Sequence, residues 1–225
     1  MYLSPFSETR SKPVKKEKLS SDYLLICTGR LSNTKGLNLQ QIGVQMAKRG
    51  GKILVNENYQ TNIKNIYAIG DCIPGLMLAH KAEEDAVFLA DYLAGIKVPH
   101  EENGLIPSVV YTTPEIAFVG MTEEEVRKKK IAYKKAKIPF MANSRAKAVS
   151  SLDGFVKLIC EKSTGKLLGA HIIGPNAGEM IHECAVAMKF GATDKDITDV
   201  CHAHPCFSEA IKETALMSYF KAINY

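Results

Sequence analysis

The stretch Phe155–Ile173, FVKLICEKSTGKLLGAHII, decides the fold class. Two apolar runs, Phe155–Cys160 and Leu167–Ile173, flank the polar segment EKSTGK, whose composition suits a turn. The stretch therefore reads as an antiparallel hairpin. On its C-terminal side, Ala177–Phe190 places Met180, Ile181, Cys184, Ala185, Ala187 and Met188 at helical spacing, and Gly191 closes the helix. Thr193 with Asp196 caps another short helix, and Phe207 to about Ala222 reads as the last. On its N-terminal side, Ala132–Pro139 is strand-like, and Thr122-Glu-Glu-Glu125 is a capping box opening a helix to about Lys130. Val109–Val119 alternates as a strand. The pattern predicts an α+β domain, with helices covering one face of an antiparallel sheet.

Before about residue 104 the texture differs. Asp22–Thr28, DYLLICT, is an apolar run ending at Gly29-Arg30, as expected of a buried strand entering a tight turn. Lys52–Val55 and Asn65–Ile69 are two further strand candidates. Leu78–Leu93 has helical periodicity through Ala82, Val87, Leu89 and Ala90, with Gly95 placed to end it. The division expected is 1–33, 34–101 and 102–225.

The 225 residues are 46% hydrophobic and 24% charged, a globular composition, and no apolar run approaches the roughly 20 residues needed to span a bilayer. The net charge of +5 is dispersed. Residues 1–20 (with Arg10, Lys12, Lys15, Lys16 and Lys18) and the run Arg127–Lys130 lack the aromatic interleaving of a nucleic-acid surface, so they read as solvated chain. Six cysteines are too few for a disulfide scaffold at this length, which favours a reducing compartment or an organelle matrix. The first 20 residues have no signal-peptide core, and Glu8 and Glu17 argue against a transit peptide.

Val200–Glu209, VCHAHPCFSE, concentrates reactive side chains. Cys201, His202, His204 and Cys206 have the atoms of a metal site, but not a zinc-type spacing. Cys201 and Cys206 have the C-x4-C spacing of a redox pair, though Pro205 stands between them. His204 and Glu209 have the spacing for a histidine held by a carboxylate in the first turn of a helix, where negative charge is favoured. The alternative is a structural histidine beside a capping glutamate. Elsewhere, Gly70-Asp71 at a strand end offers close approach and an acceptor for a sugar-like hydroxyl, or simply a turn. The helix opening near Leu78 and Ala79 turns free N–H groups outward.

These segments resemble one family. TGR (Thr28–Arg30), NIYAIGD (Asn65–Asp71), MLAHKAEEDA (Met77–Ala86) and CHAHPCFSEA (Cys201–Ala210) are similar to the C-terminal half of the flavin-dependent disulfide oxidoreductases, the lipoamide dehydrogenases in particular. TTPEIAFVG, ANSRAK and the closing INY also resemble that family, so the likeness runs from about residue 20 to the end. The resemblance implies a dimerisation domain preceded by the remainder of the FAD- and NAD-binding domains. It implies that Asp71 holds the ribityl chain of FAD beside Gly70, and that the backbone of Met77, Leu78, Ala79 and His80 faces the flavin. The imidazole of His80 itself is expected to face solvent. Gly29 and Arg30 fall in a turn near the nicotinamide domain.

By the same resemblance, His204 takes a proton from a dihydrolipoamide thiol, with Glu209 fixing its tautomer. The family usually carries Thr where Cys206 stands. Implied partners are a second copy of the chain and the lipoyl domain of 2-oxoacid dehydrogenase complexes, with no nucleic acid, membrane or metal. The implied location is the mitochondrial matrix, with plastid or cytoplasm as alternatives. No G-x-G-x-x-G and no disulfide of the C-V-N-V-G-C style occur in the sequence. The chain alone is therefore expected to lack dehydrogenase activity and to retain no flavin.

Overall fold

The computed structural model describes residues 18–96 and 105–225. The chain divides into two compact units, Met1–His100 and Glu101–Tyr225. The expectations placed on Glu8 to Glu17 and on the boundary at residues 101–102 lie outside the described residues.

The second unit is a five-stranded antiparallel sheet: β1 Ser108–Val110, β2 Glu115–Gly120, β3 Tyr133–Pro139, β4 Phe155–Glu161 and β5 Leu167–Gly174, in the order β1-β2-β5-β4-β3. The β4–β5 hairpin forms as expected, with Leu158 opposite Ala170 and Val156 opposite Ile172. In its turn the Gly165 N–H donates to the Glu161 carbonyl at 2.9 Å. Alternation puts Ala117, Val119, Ala136, Ile138, Val156, Leu158, Ala170 and Ile172 in the core. Two helices cover it: α4, Ala177–Lys189, lies against β2 and β5, and α6, Glu209–Met217, against β3 and β4. Short helices α2 (Glu123–Lys128), α3 (Ser144–Ala148) and α5 (Asp194–Asp199) complete the unit. Thr122 with Glu125 and Thr193 with Asp196 form the two expected N-terminal caps, both as full capping boxes.

Two boundaries depart from expectation. Val109–Val119 is not one strand but the pair β1 and β2, with Val110 opposite Ile116 and Ser108 opposite Phe118. Pro114 has no N–H to give a ladder, and the chain reverses there, with Thr112 Oγ1 donating to the Pro114 carbonyl at 2.7 Å. The last helix ends at Met217 rather than near Ala222. Beyond it the tail turns back onto Glu213, whose carboxylate accepts from the N–H groups of Ile223 (2.7 Å) and Asn224 (3.3 Å) and from Asn224 Nδ2 (2.7 Å). Gly154, just before β4, has φ +100°, and a Cβ there would lie 1.8 Å from the Ile173 carbonyl oxygen, so only glycine fits.

In the first unit, α1 spans Ala79–Leu93. A small core of Val44, Ile53, Ala68 and Ile73 gathers under turns. The three strands expected here are not regular strands. Lys52–Val55 and Asn65–Ile69 contribute only single bridges, Met46 to Ile53 and Gln60 to Tyr67. Asp22–Thr28 has no ladder partners among the described residues, and Leu24, Leu25 and Ile26 are exposed. A strand exists through the backbone groups of its neighbours, and no partner strand lies beside this run among the described residues.

Candidate active site

The loop from Val200 to Glu209 joins α5 to α6. His204 Nδ1 lies 2.9 Å from Glu209 Oε1, while Glu209 Oε2 accepts the Cys206 N–H at 2.8 Å. The carboxylate is thereby fixed through both oxygens, and Nδ1 is the protonated nitrogen that faces it. The His204 side chain is 67% exposed and Glu209 21%. Nε2 is left to exchange a proton with an incoming group. Burial pushes the Glu209 acid upward, but the Cys206 N–H, the His204 hydrogen bond and charge, and the charge of His202 outweigh it and hold the acid below its ordinary range.

A second histidine–carboxylate pair stands behind the first. His202 Nε2 lies 2.8 Å from Glu183 Oε1 on α4, with the imidazole only 8% exposed. His202 Nδ1 lies 3.1 Å from the Val200 carbonyl, which also accepts Lys212 Nζ of α6 at 2.6 Å. Buried Asn143 donates through Nδ2 to the Cys206 carbonyl at 2.9 Å and accepts the Ala146 N–H at 2.9 Å as the N-cap of α3. The two histidines therefore engage different acids. Cys201 and Cys206 are free thiols, and no cluster of three metal-binding side chains occurs among the described residues. Sequence reasoning did not pair His202 with Glu183, since 19 residues separate them; ANSRAK was a signal for Asn143 only through resemblance.

In the first unit, Arg30, Asp71 and Met77 come together. Arg30 Nη1 is 3.5 Å from Asp71 Oδ2, and Arg30 Nη2 donates to the Met77 carbonyl. Ser32 Oγ donates to the Asp71 carbonyl at 2.9 Å. The Asp71 side chain remains 47% exposed. Leu78 is the N-cap of α1 with no side-chain cap, and Ala79 and His80 are its first helical residues, both exposed. Gly29 is exposed with nothing within 4 Å of the space a side chain would enter, so it joins this group only as the neighbour of Arg30.

Gly70 sits against α1. The space its side chain would occupy faces Ala82 of α1, with a Cβ at 3.0 Å from the Ala82 Cβ, and its φ is +69°. The missing side chain lets the helix approach closely. The Gly70 N–H donates to Asp85 Oδ2 at 3.0 Å. Asp85 is also 2.5 Å from Lys81 Nζ and accepts the Tyr59 hydroxyl at 2.6 Å, and both members of the ion pair are nearly inaccessible, at 2% and 4%. A buried ion pair on a helix with so many charges was not legible in AHKAEEDA, where one turn of spacing equally suits a solvated face.

Two family models match the chain. The dimerisation domain of the pyridine nucleotide-disulphide oxidoreductases matches residues 106–215, from β1 to α6, and the pyridine nucleotide-disulphide oxidoreductase model matches residues 8–86. The chain belongs to the pyridine nucleotide-disulphide oxidoreductases. Within that family it is 55% identical over 206 residues to the mitochondrial dihydrolipoyl dehydrogenase of Pisum sativum, which takes in 92% of this chain and 41% of that protein. It is 54% identical over 203 residues to the leghemoglobin reductase of Glycine max, taking in 90% of this chain and 38% of that one. The chain thus spans about two fifths of the length of these relatives. Among solved structures, the HOCl-induced flavoprotein disulfide reductase RclA from Escherichia coli aligns with TM-score 0.81 and 28% identity, over 89% of this chain and 46% of that one. LpdA from Mycobacterium tuberculosis aligns with TM-score 0.77 and 32% identity, over 83% and 40%.

Proposed function

We propose that the chain is the C-terminal portion of a dihydrolipoyl dehydrogenase and supplies its acid–base pair. The observation that carries this reading is the His204–Glu209 contact of 2.9 Å, in which an exposed imidazole is backed by a carboxylate held from its other side. In the whole enzyme dihydrolipoamide is oxidised to lipoamide and NAD+ is reduced. His204 Nε2 takes the proton of a substrate thiol as its sulfur attacks an enzyme disulfide, and Glu209 stabilises the imidazolium that results. The proton then passes from Nε2 to solvent as the imidazole returns to its neutral form.

The second group of residues suits a flavin. A half-exposed carboxylate at Asp71 matches ribityl hydroxyls, and the uncapped start of α1 at Met77–His80 matches the pyrimidine edge of the ring, with Gly70 shaping the turn. Gly29 and Arg30 border it, and Arg30 orients the Asp71 carboxylate. When bound, FAD supplies the electron relay between thiol chemistry and NAD+. In this reading 1–33 ends the nicotinamide domain, 34–101 belongs to the flavin-contacting domain, and 102–225 is the interface domain. A homodimer, in which His204 serves the partner's disulfide, and the lipoyl domain of a 2-oxoacid dehydrogenase complex are its partners. The mitochondrial matrix is its location, after the mitochondrial relatives.

The test is a chimera joining this chain to the preceding portion of the pea enzyme. It should retain yellow flavin and reduce NAD+ with dihydrolipoamide. His204→Gln should retain the flavin and lose turnover by about 10²–10⁴. Undiminished turnover in that variant would overturn the reading.

A further inference from the structure

The loop that presents His204 has no backbone framework of its own. Among the described residues, no backbone–backbone hydrogen bond recorded for turns and loops involves residues 201–206. What holds it are side chains: Lys212 on the Val200 carbonyl, Asn143 on the Cys206 carbonyl, Glu209 on the Cys206 N–H, and His202 with Glu183. Besides the His204–Glu209 contact itself, only the His202 pair reaches into the middle of the loop, two residues from His204. Both ring nitrogens of His202 are engaged, one by α4 through Glu183 and the other by the Val200 carbonyl. The alternation is sharp: an 8% exposed imidazole at 202 and a 67% exposed imidazole at 204.

We infer that Glu183 and His202 form a positioning pair, which anchors the loop to α4 and thereby sets where His204 meets Glu209. The inference rests on the acid–base reading above and adds two residues to it. With the imidazole buried and Glu183 34% exposed, the pair is a modest source of stability but a directional one, because its hydrogen bonds are satisfied in one arrangement only. An apolar side chain at 202 would bury as well and leave the loop free to turn about its ends. The charge of His202 also contributes to keeping Glu209 ionised, which is consistent with the pair acting on the dyad.

Nuclear magnetic resonance on the 225-residue chain tests this. Long-range ¹H–¹⁵N spectra read the tautomer of His204, and amide exchange reads the Cys206 N–H that Glu209 holds. Glu183→Ala should convert His204 from a single Nδ1–H form to a mixture and speed Cys206 exchange about tenfold, the scale of one lost charge-assisted hydrogen bond. The amides of β4 and β5 should be unaffected. Glu183→Gln, which keeps an acceptor oxygen, should restore both signals. Unchanged His204 and Cys206 signals in Glu183→Ala, with the sheet intact, would overturn the inference. If Glu183→Ala disturbs the sheet, His202→Gln against His202→Ala makes the same comparison, and equal behaviour of those two, folded or unfolded, overturns it. An unsubstituted chain whose His204 shows no Nδ1–H preference would instead sink the acid–base reading, while Cys206 exchange still judges the anchor.

Discussion

Glu209 serves His204 with one oxygen, at 2.9 Å, and with the other it closes back on its own chain at the Cys206 N–H. That second contact is half of a capping box: a first-turn acid accepts the N–H three residues earlier, as Glu125 does for Thr122 and Asp196 for Thr193. The reciprocal half, a side-chain oxygen accepting the Glu209 N–H, is missing because position 206 is cysteine. The acid that orients the imidazole is therefore itself held by a helix start that is only half capped.

Cys206→Thr completes the box. It should raise stability by about 0.5–1 kcal/mol, seen as a higher Tm in a thermal melt monitored by circular dichroism. An unchanged or lower Tm would show that Thr cannot reach the Glu209 N–H from this loop.

Glu123 gathers Arg127 (2.7 Å), Tyr133 (2.9 Å), Lys135 (2.8 Å) and Lys157 (2.8 Å) around one carboxylate. Burial would raise its acid, but the hydrogen bonds from Lys135, Lys157 and Tyr133 outweigh this and bring it down to about 2. The folded value lies below the ordinary 4.5, so the stabilisation is complete above pH 4.5 and is lost as pH falls toward 2. Glu123→Gln should lower stability by about 1–3 kcal/mol at neutral pH. Denaturant titrations of the two proteins should converge as the solution is acidified toward pH 2. A difference that stays constant with pH would exclude the ionised carboxylate as its source.

Lys81 and Asp85 form a pair that water does not reach, closed by the Tyr59 hydroxyl and the Gly70 N–H. Lys81→Met removes the cation and strands the acid, at a cost of about 3–5 kcal/mol in urea unfolding of the Met1–His100 unit. Adding Asp85→Leu should recover most of that loss. A single variant within experimental error of the unsubstituted chain would mean that the acid ionises or relaxes without its partner.

The parts of the fold readable along the chain are those in which a few consecutive residues decide the outcome. Both capping boxes, the β4–β5 hairpin and helices α1 and α4 follow from periodicity and from side chains reaching three or four residues away. Pro114 was visible within Val109–Val119, yet the alternation across it conceals that the chain turns there; pairing of β2 with β5, not local pattern, decides the break. The run at 22–28 has strand composition but no ladder partner among the described residues, and that at 52–55 finds only the single bridge between Ile53 and Met46; composition cannot supply a ladder.

The same division holds at the site. His204 and Glu209 are five residues apart across a single turn, so the local chain alone brings them within reach of each other. Glu183 and Asn143 reach this loop from α4 and the start of α3, and they do so because packing the apolar faces of α4 and α6 on one sheet brings distant polar groups together. Asn143, buried there, must find a partner, and which partner it or Glu183 finds depends on the order of strands and helices in space. Burial likewise turned Lys81 and Asp85 from an ordinary helix-surface spacing into an enclosed ion pair.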